Sequence, residues 1–192
     1  MVPHAFDDLR SYYLACFESS MESARDRYDS FASEVLIELP KSDEPQECYR
    51  LYRVDILAVR DGKTVAQETN VHLRDVSDGG SLASPKIRLV NPMVWNGLQF
   101  RVVDSEVPEG ELIEWTRYWL DIDDNRYRDV QQFQSVVHNV TRPSIEASKF
   151  ELSVDFGSAP TEAFDQLLRL LCQHSRMVTV GSFSCADVGN RE

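Results

Sequence analysis

Long hydrophobic runs are missing from this sequence: no apolar stretch approaches the roughly 18 residues of a membrane-spanning helix, which argues against a membrane protein. The first residues, MVPHAFDDLR, have neither a basic start nor an apolar segment, so no secretory leader is expected and the chain reads as cytoplasmic. Cysteine is sparse. Cys16, Cys48, Cys172 and Cys185 lie far apart and form no C-x-x-C pair, which disfavours a disulfide framework and suits buried reduced thiols. Neither G-x-G-x-x-G, nor a phosphate loop of the G-x-x-x-x-G-K type, nor a serine in a G-x-S-x-G setting occurs. Nucleotide-dependent catalysis therefore lacks its usual signatures, no cofactor is expected, and the chain leans away from being an enzyme.

Positive charge is also in short supply. The formal net charge is -12, and it is localised: residues 1–50 hold 11 acids and 5 bases, residues 104–129 hold 9 and 3, and the rest hold 12 of each. Such a field repels a phosphate backbone, so nucleic acid is not an expected partner. It suits a basic protein, whose association it would steer.

What is present is ordinary globular material, 42% apolar and 10% aromatic over 192 residues, enough for one substantial core. From Ala5 to about Ser30, apolar residues recur at mostly three-and-four spacing (Phe6, Leu9, Tyr13, Cys16 or Phe17, Met21, Ala24, Tyr28 and Phe31), the mark of one long amphipathic helix. EVLIELP then reads as a strand stopped by Pro40, followed by the polar loop KSDEPQE. CYRLYRVDILAVR, Asp61-Gly62 and KTVAQETNVHL form the clearest local signal, because Asp-Gly supplies the positive φ angles of a two-residue hairpin turn. Partners then sum to 123, so Ala58 faces Val65, Ile56 faces Gln67, Val54 faces Thr69 and Tyr52 faces Val71 on the more apolar side. DVSDGGSLASP reads as a surface loop, and Asn96-Gly97 predicts a second hairpin joining KIRLVNPMVW to LQFRVV.

Further on, Leu112, Trp115 and Trp119 form the core stripe of a helix over 109–120, with Glu109, Glu111 and Glu114 near its positive start. FQSVVHNV and KFELSVDF read as strands, GSAPTEAFDQLLRLLCQH as a helix capped by Ser158, and MVTVGSF as a last strand. Strands 149–156 and 177–183 should be parallel if adjacent, because a helix connects them. A shift of 52 residues lays Leu98 on Phe150, Phe100 on Leu152, Pro108 on Pro160, Leu112 on Phe164 and Trp115 on Leu167, a weak sign of a duplicated strand-strand-helix unit. The expected fold is α+β: a long N-terminal helix, a mostly antiparallel hairpin-built sheet, two later helices packed on it and a terminal β-α-β crossover. It is read as one domain over 1–192, with possible sub-halves 1–84 and 85–185 and a frayed tail at 186–192.

Three groups of residues could carry function. Asp121, Asp123, Asn125 and Asp129 have the spacing with which a calcium loop begins, but Arg126 stands where that loop needs glycine and Gln132 where it needs a bidentate glutamate. These residues are read instead as an acidic loop in which Asp121 and Asn125 bond local backbone while Arg126 and Arg128 offset charge. The polar side of the first hairpin places Asp55 opposite Glu68, with Arg53, Asn70 and His72 on the same face; Asp55, Glu68 and His72 are thus candidates for acid-base work, set against a solvent-facing strand surface neutralised by Arg53. His138 reads as a packed histidine with one backbone partner. Glu109, Glu111, Glu114, Asp121, Asp123 and Asp124 form the candidate partner-binding surface. The expected function is a non-catalytic module binding a basic protein, in the manner of an inhibitor or immunity protein. A small-ligand or enzymatic pocket at Asp55, Glu68 and His72, or a structural subunit of a larger assembly, are the alternatives.

Overall fold

The computed structural model describes residues 5–39, 46–76, 85–103, 106–129, 133–146 and 149–182. The loop expected at 75–85 and the frayed tail fall largely outside that description. Helix α1, Ala5–Arg27, forms for the reason its spacing suggests: Phe6, Leu9, Tyr13, Phe17, Met21 and Ala24 make one buried stripe. Asp7 and Asp8 in its first turn and Arg25 and Arg27 in its last complement the helix dipole. The chain reverses at once into β1, Ser30–Glu38, which begins earlier than EVLIELP suggests.

Strands β2, Leu51–Arg60, and β3, Lys63–Gln67, complete a first antiparallel sheet in the order β1-β2-β3. Asp61 and Gly62 take φ of 51° and 71°, the two positive angles the turn requires, and Ala58 pairs with Val65 and Ile56 with Gln67. β3 ends at Gln67, so the pairings expected further along, at Thr69 and Val71, do not form as ladder.

The second sheet is built from β4 (Ile87–Val90), β5 (Leu98–Val103), β6 (Asn139–Val140), β7 (Ser144–Glu146), β8 (Lys149–Asp155) and β9 (Met177–Gly181), in the order β4-β9-β5-β8-β6, with β7 also on β8. Helices α2, Glu109–Leu120, and α3, Thr161–Gln173, follow β5 and β8. β5, α2 and β6 are thus split by β8, and β8, α3 and β9 are split by β5. This is the double split β-α-β connectivity called ferredoxin-like, with β4 added at one edge. β8 and β9 are both antiparallel to β5 and hence parallel to each other, but they are not neighbours.

Two expectations need correction. Asn96-Gly97 makes no hairpin: Asn96 has φ of -87°, the residues form a short 3-10 turn, and β9 lies between β4 and β5. FQSVVHNV is a strand only at β6, because the segment before it gives its backbone hydrogen bonds singly, Val137 to Trp119 and His138 to Asp155. Among the described residues no helix is long and apolar enough to cross a membrane.

The 52-residue correspondence has a structural counterpart. α2 and α3 start at equivalent positions, each preceded by a proline as N-cap, Pro108 and Pro160, so Ser158 is not the cap. Leu112, Trp115 and Trp119 are buried as are Phe164, Leu167 and Leu171, and Phe100 is paired directly with Leu152. The units diverge elsewhere: β4 does not pair with β5 as β7 does with β8. After α3 the chain reaches β9 through residues 174–176, whereas from α2 to β6 it runs through 121–138. This long connection carries both the acidic loop and His138.

Candidate functional site

On a regular strand, neighbouring side chains alternate between faces. Glu34 departs from this. It adopts φ of 52° within β1, in the left-handed region that costs a residue with a Cβ about 1–2 kcal/mol, and its side chain is fully buried. The pairs on either side, Ser33 with Ile56 and Val35 with Val54, place Glu34 opposite Asp55. Two carboxylates facing each other in a protein interior repel and lose their hydration. His138 resolves the conflict by lying between them, with Nδ1 2.7 Å from Asp55 Oδ1 and Nε2 2.9 Å from Glu34 Oε1.

The remaining oxygens are also engaged. Asp55 accepts the Tyr13 hydroxyl at 3.1 Å and the Thr69 amide at 2.6 Å. Glu34 accepts the Gln134 amide at 2.5 Å and the Ser158 hydroxyl. Phe17 and Tyr13 present their rings edgewise to the imidazole. Against its other side runs Gly157, with φ of 48°, where a Cβ would come within 2.1 Å of His138 Cδ2. No other residue type leaves room for the ring at that place.

Each imidazole nitrogen faces a carboxylate oxygen, an arrangement that favours the imidazolium, whose two N–H groups can both donate. Burial works against its charge, but the hydrogen bonds to Asp55 and Glu34, with the charge of Asp155, hold its pKa well above the usual 6.5. Burial also pushes Asp55 upward, yet His138 and Thr69 bring it below the ordinary aspartate value. Asp155, half-buried at the end of β8, is pushed up to about 7 by burial against the lowering influence of His138, with the charge of Asp55 adding to the rise. Burial and the same charge keep the Tyr13 phenol well above 10, so it remains a donor.

Arg53, two residues before Asp55 and on the same face of β2, forms a second buried centre. The solvent-facing alternative for this face is overturned, because Arg53 and Asp55 are 2% and 1% exposed. Arg53 Nε donates to Leu120 O at 3.0 Å, Nη1 to Glu34 O and Gln134 Oε1 at 2.8 and 2.6 Å, and Nη2 to Asp121 O at 2.8 Å. Nη2 also pairs with Asp124 at 2.9 Å. The guanidinium therefore gathers the carbonyls at the negative end of α2.

These two centres anchor the connection 121–138 at both ends. Between them Asp121, a left-handed C-cap with φ of 51°, accepts the amides of Asn125 and Arg126 at 3.3 and 2.9 Å. Arg126 donates to the carbonyls of Ser135 and Tyr118, and Arg128 reaches Ser33. Asp121 is turned inward onto local backbone amides, while Asp123, Asn125 and Asp129 are exposed. Millimolar calcium should accordingly leave the melting temperature unchanged; a rise abolished by Asp121→Ala would contradict this.

Of the hairpin trio, Asp55 is buried in the His138 cluster, Glu68 is exposed beside it and raised by desolvation and by the charge of Asp55, and His72 is exposed and takes no part. His138, expected to have a backbone partner, has two carboxylates instead. Glu34, Asp155 and Tyr13 were not singled out by sequence; a glutamate in a strand and an aspartate alternating with apolar residues carry no local sign of burial. Glu109, Glu111 and Glu114 are exposed on α2, as are Asp123 and Asp124 beyond it. Cys48 is buried, while Cys16 and Cys172 are half-exposed free thiols. A shallow depression of about 140 Å³ lies elsewhere, on the outer face of the second sheet between Arg101, Arg142 and Ser153. Comparison of the chain with family models, with curated proteins and with solved structures found no match.

Proposed function

We propose that the chain is a non-catalytic binding module whose acidic surface, formed by α2 and the loop after it, engages a basic protein. The observation that carries this reading is the exposure of Tyr118, 64%, on α2 and of Tyr127, 94%, on the connection pinned at both ends by buried charge, in the segment that also bears the exposed Glu111, Glu114, Asp123 and Asp124. Tyrosine supplies large contact area at low entropic cost, and tyrosines are common energetic centres of interfaces. The surrounding carboxylates steer a cationic partner toward them.

Anchoring matters for the same reason. A loop held by Arg53 and His138 loses less freedom on binding than a mobile one, so more of its contact energy appears as affinity. Holding a charged side chain away from water is costly, and two such centres converge on a connection far longer than its counterpart after α3. Rigid presentation of exposed loop residues is a common way in which a scaffold recognises a partner.

Immobilised protein should retain a basic partner from extract at low salt and release it at high salt. Retention should fall at least tenfold when Tyr127→Ala is combined with Glu111→Lys and Glu114→Lys. Failure to retain any partner, or retention indifferent to salt and to these changes, would overturn the reading.

A further inference from the structure

We infer that Asp55, His138 and Asp155 form a divalent-cation site at the junction of the two sheets, suited to a transition ion such as Zn²⁺. One ligand atom from each lies within 4.8 Å of the others, the convergence that a single ion requires. Oxygen and nitrogen atoms bound tetrahedrally at about 2.0–2.2 Å from zinc stand roughly 3.3–3.6 Å apart, so the three groups need only small adjustments. One imidazole nitrogen with carboxylate oxygens favours zinc, iron, nickel or copper over magnesium or calcium, whose preferred ligands are all oxygen.

Each ligand is already oriented. The Gly157 amide holds Asp155 Oδ1 at 2.8 Å, the Thr69 amide holds Asp55 Oδ2 at 2.6 Å, and Glu34 holds the far nitrogen of His138 at 2.9 Å. The last contact is the arrangement expected of a metal-bound histidine, whose other N–H is fixed by a carboxylate. When an ion binds Nδ1, the proton on that nitrogen leaves to solvent while Nε2–H continues to donate to Glu34, so one cation replaces one proton.

An independent observation points to a ligand at this place. The Thr69 hydroxyl belongs to a residue only 3% exposed and lies against the Asp55 carboxylate, yet makes no hydrogen bond of ordinary geometry. A buried hydroxyl without a full partner is rare, and a metal-bound water would satisfy it. Glu68, exposed and one step beyond the last registered pair of β2 and β3, stands at the rim where an ion would arrive.

The test is calorimetric titration of the metal-stripped full chain with Zn²⁺ in two buffers of different ionisation enthalpy, repeated with His4→Asn, His72→Asn and His174→Asn to remove the other imidazoles. At pH 8, above the value of about 7 held by Asp155, one saturable site releasing about one proton per ion, that of His138 Nδ1, is expected. Asp155→Asn, at a half-buried position, should weaken affinity at least tenfold, whereas Asp123→Asn should leave it unchanged. Nitrogen-15 NMR of the wild-type imidazoles provides a second measurement should Asp155→Asn fail to fold: His138 should pass from doubly protonated to singly protonated with Nδ1 on the metal. Absence of saturable binding, unchanged affinity in a folded Asp155→Asn, or a His138 that stays doubly protonated throughout would each overturn the site.

Discussion

Replacing His138 by alanine should destabilise the protein by about 3–5 kcal/mol, the usual consequence of removing one partner from a buried charged group. The substitution leaves Glu34 and Asp55 facing each other without the cation between them. For a chain of this length each kcal/mol corresponds to roughly 2–4 °C, so thermal unfolding followed by circular dichroism should show a loss on the order of 10 °C. A change within about 2 °C would mean that the cluster contributes no net stability.

The pH dependence of wild-type stability, measured with chelator present, provides a second signature of the same cluster. The groups facing His138 are Tyr13 from α1, Glu34 from β1, Asp55 from β2 and Asp155 from β8. Since the folded-state pKa of His138 is raised, its contribution is complete below 6.5 and is lost as pH rises through the folded value. Asp155, raised from 3.8 to about 7, favours its neutral form and acts in the same direction, its contribution falling between those two values. Asp55, lowered, opposes them only at the acid end, losing its contribution as pH falls through its folded value. Stability should therefore decline from about pH 4 upward, and His138→Ala should lack the share of that decline that His138 contributes above 6.5 while keeping the fall due to Asp155.

Arg53→Lys should have an effect of similar size and a different signature. Lysine keeps the charge, but a single ammonium cannot reach Leu120 O, Glu34 O, Gln134 Oε1 and Asp121 O together, as the guanidinium fork does. Leaving several buried acceptors without donors should cost about 3 kcal/mol. The loss should concentrate where the anchor acts. Amide hydrogen exchange across residues 121–129 should accelerate about a hundredfold, since each factor of ten corresponds to roughly 1.4 kcal/mol, while the paired strands β5 and β8 change much less. If the surface on α2 and its loop binds as proposed, the same variant should weaken retention of the basic partner without altering any residue that touches it. Uniform acceleration throughout the chain would indicate that Arg53 supports the whole fold rather than this connection.

Local features could be read without coordinates because neighbours in the chain decide them. The stripe of α1, the Asp61-Gly62 turn with its register, the buried tryptophans of α2 and the backbone-bonded Asp121 all follow from side chains a few residues apart. Asn96-Gly97 shows the limit of local chemistry: the pair is compatible with a hairpin, but β9 takes the place beside β5, and the turn residues settle into a 3-10 conformation. The alternation of β2 was equally legible, but not the environment of its polar face. Whether Arg53 and Asp55 meet water depends on what docks there, and the residues that dock lie far along the chain.

The His138 centre is the extreme case. Its hydrogen bonds join residues 83 and 104 positions apart, to Asp55 and Glu34, and it fits only because Gly157 gives up the space of a side chain. Propensity and periodicity act over a turn or a strand pair, so they decided the helices, the first hairpin and the location of the negative charge. Burial of like charges is tolerated only where a counter-charge and hydrogen bonds arrive from elsewhere. That condition was met when the connection after α2 closed over the first sheet, turning a strand-borne glutamate, an aspartate and a distant histidine into one centre.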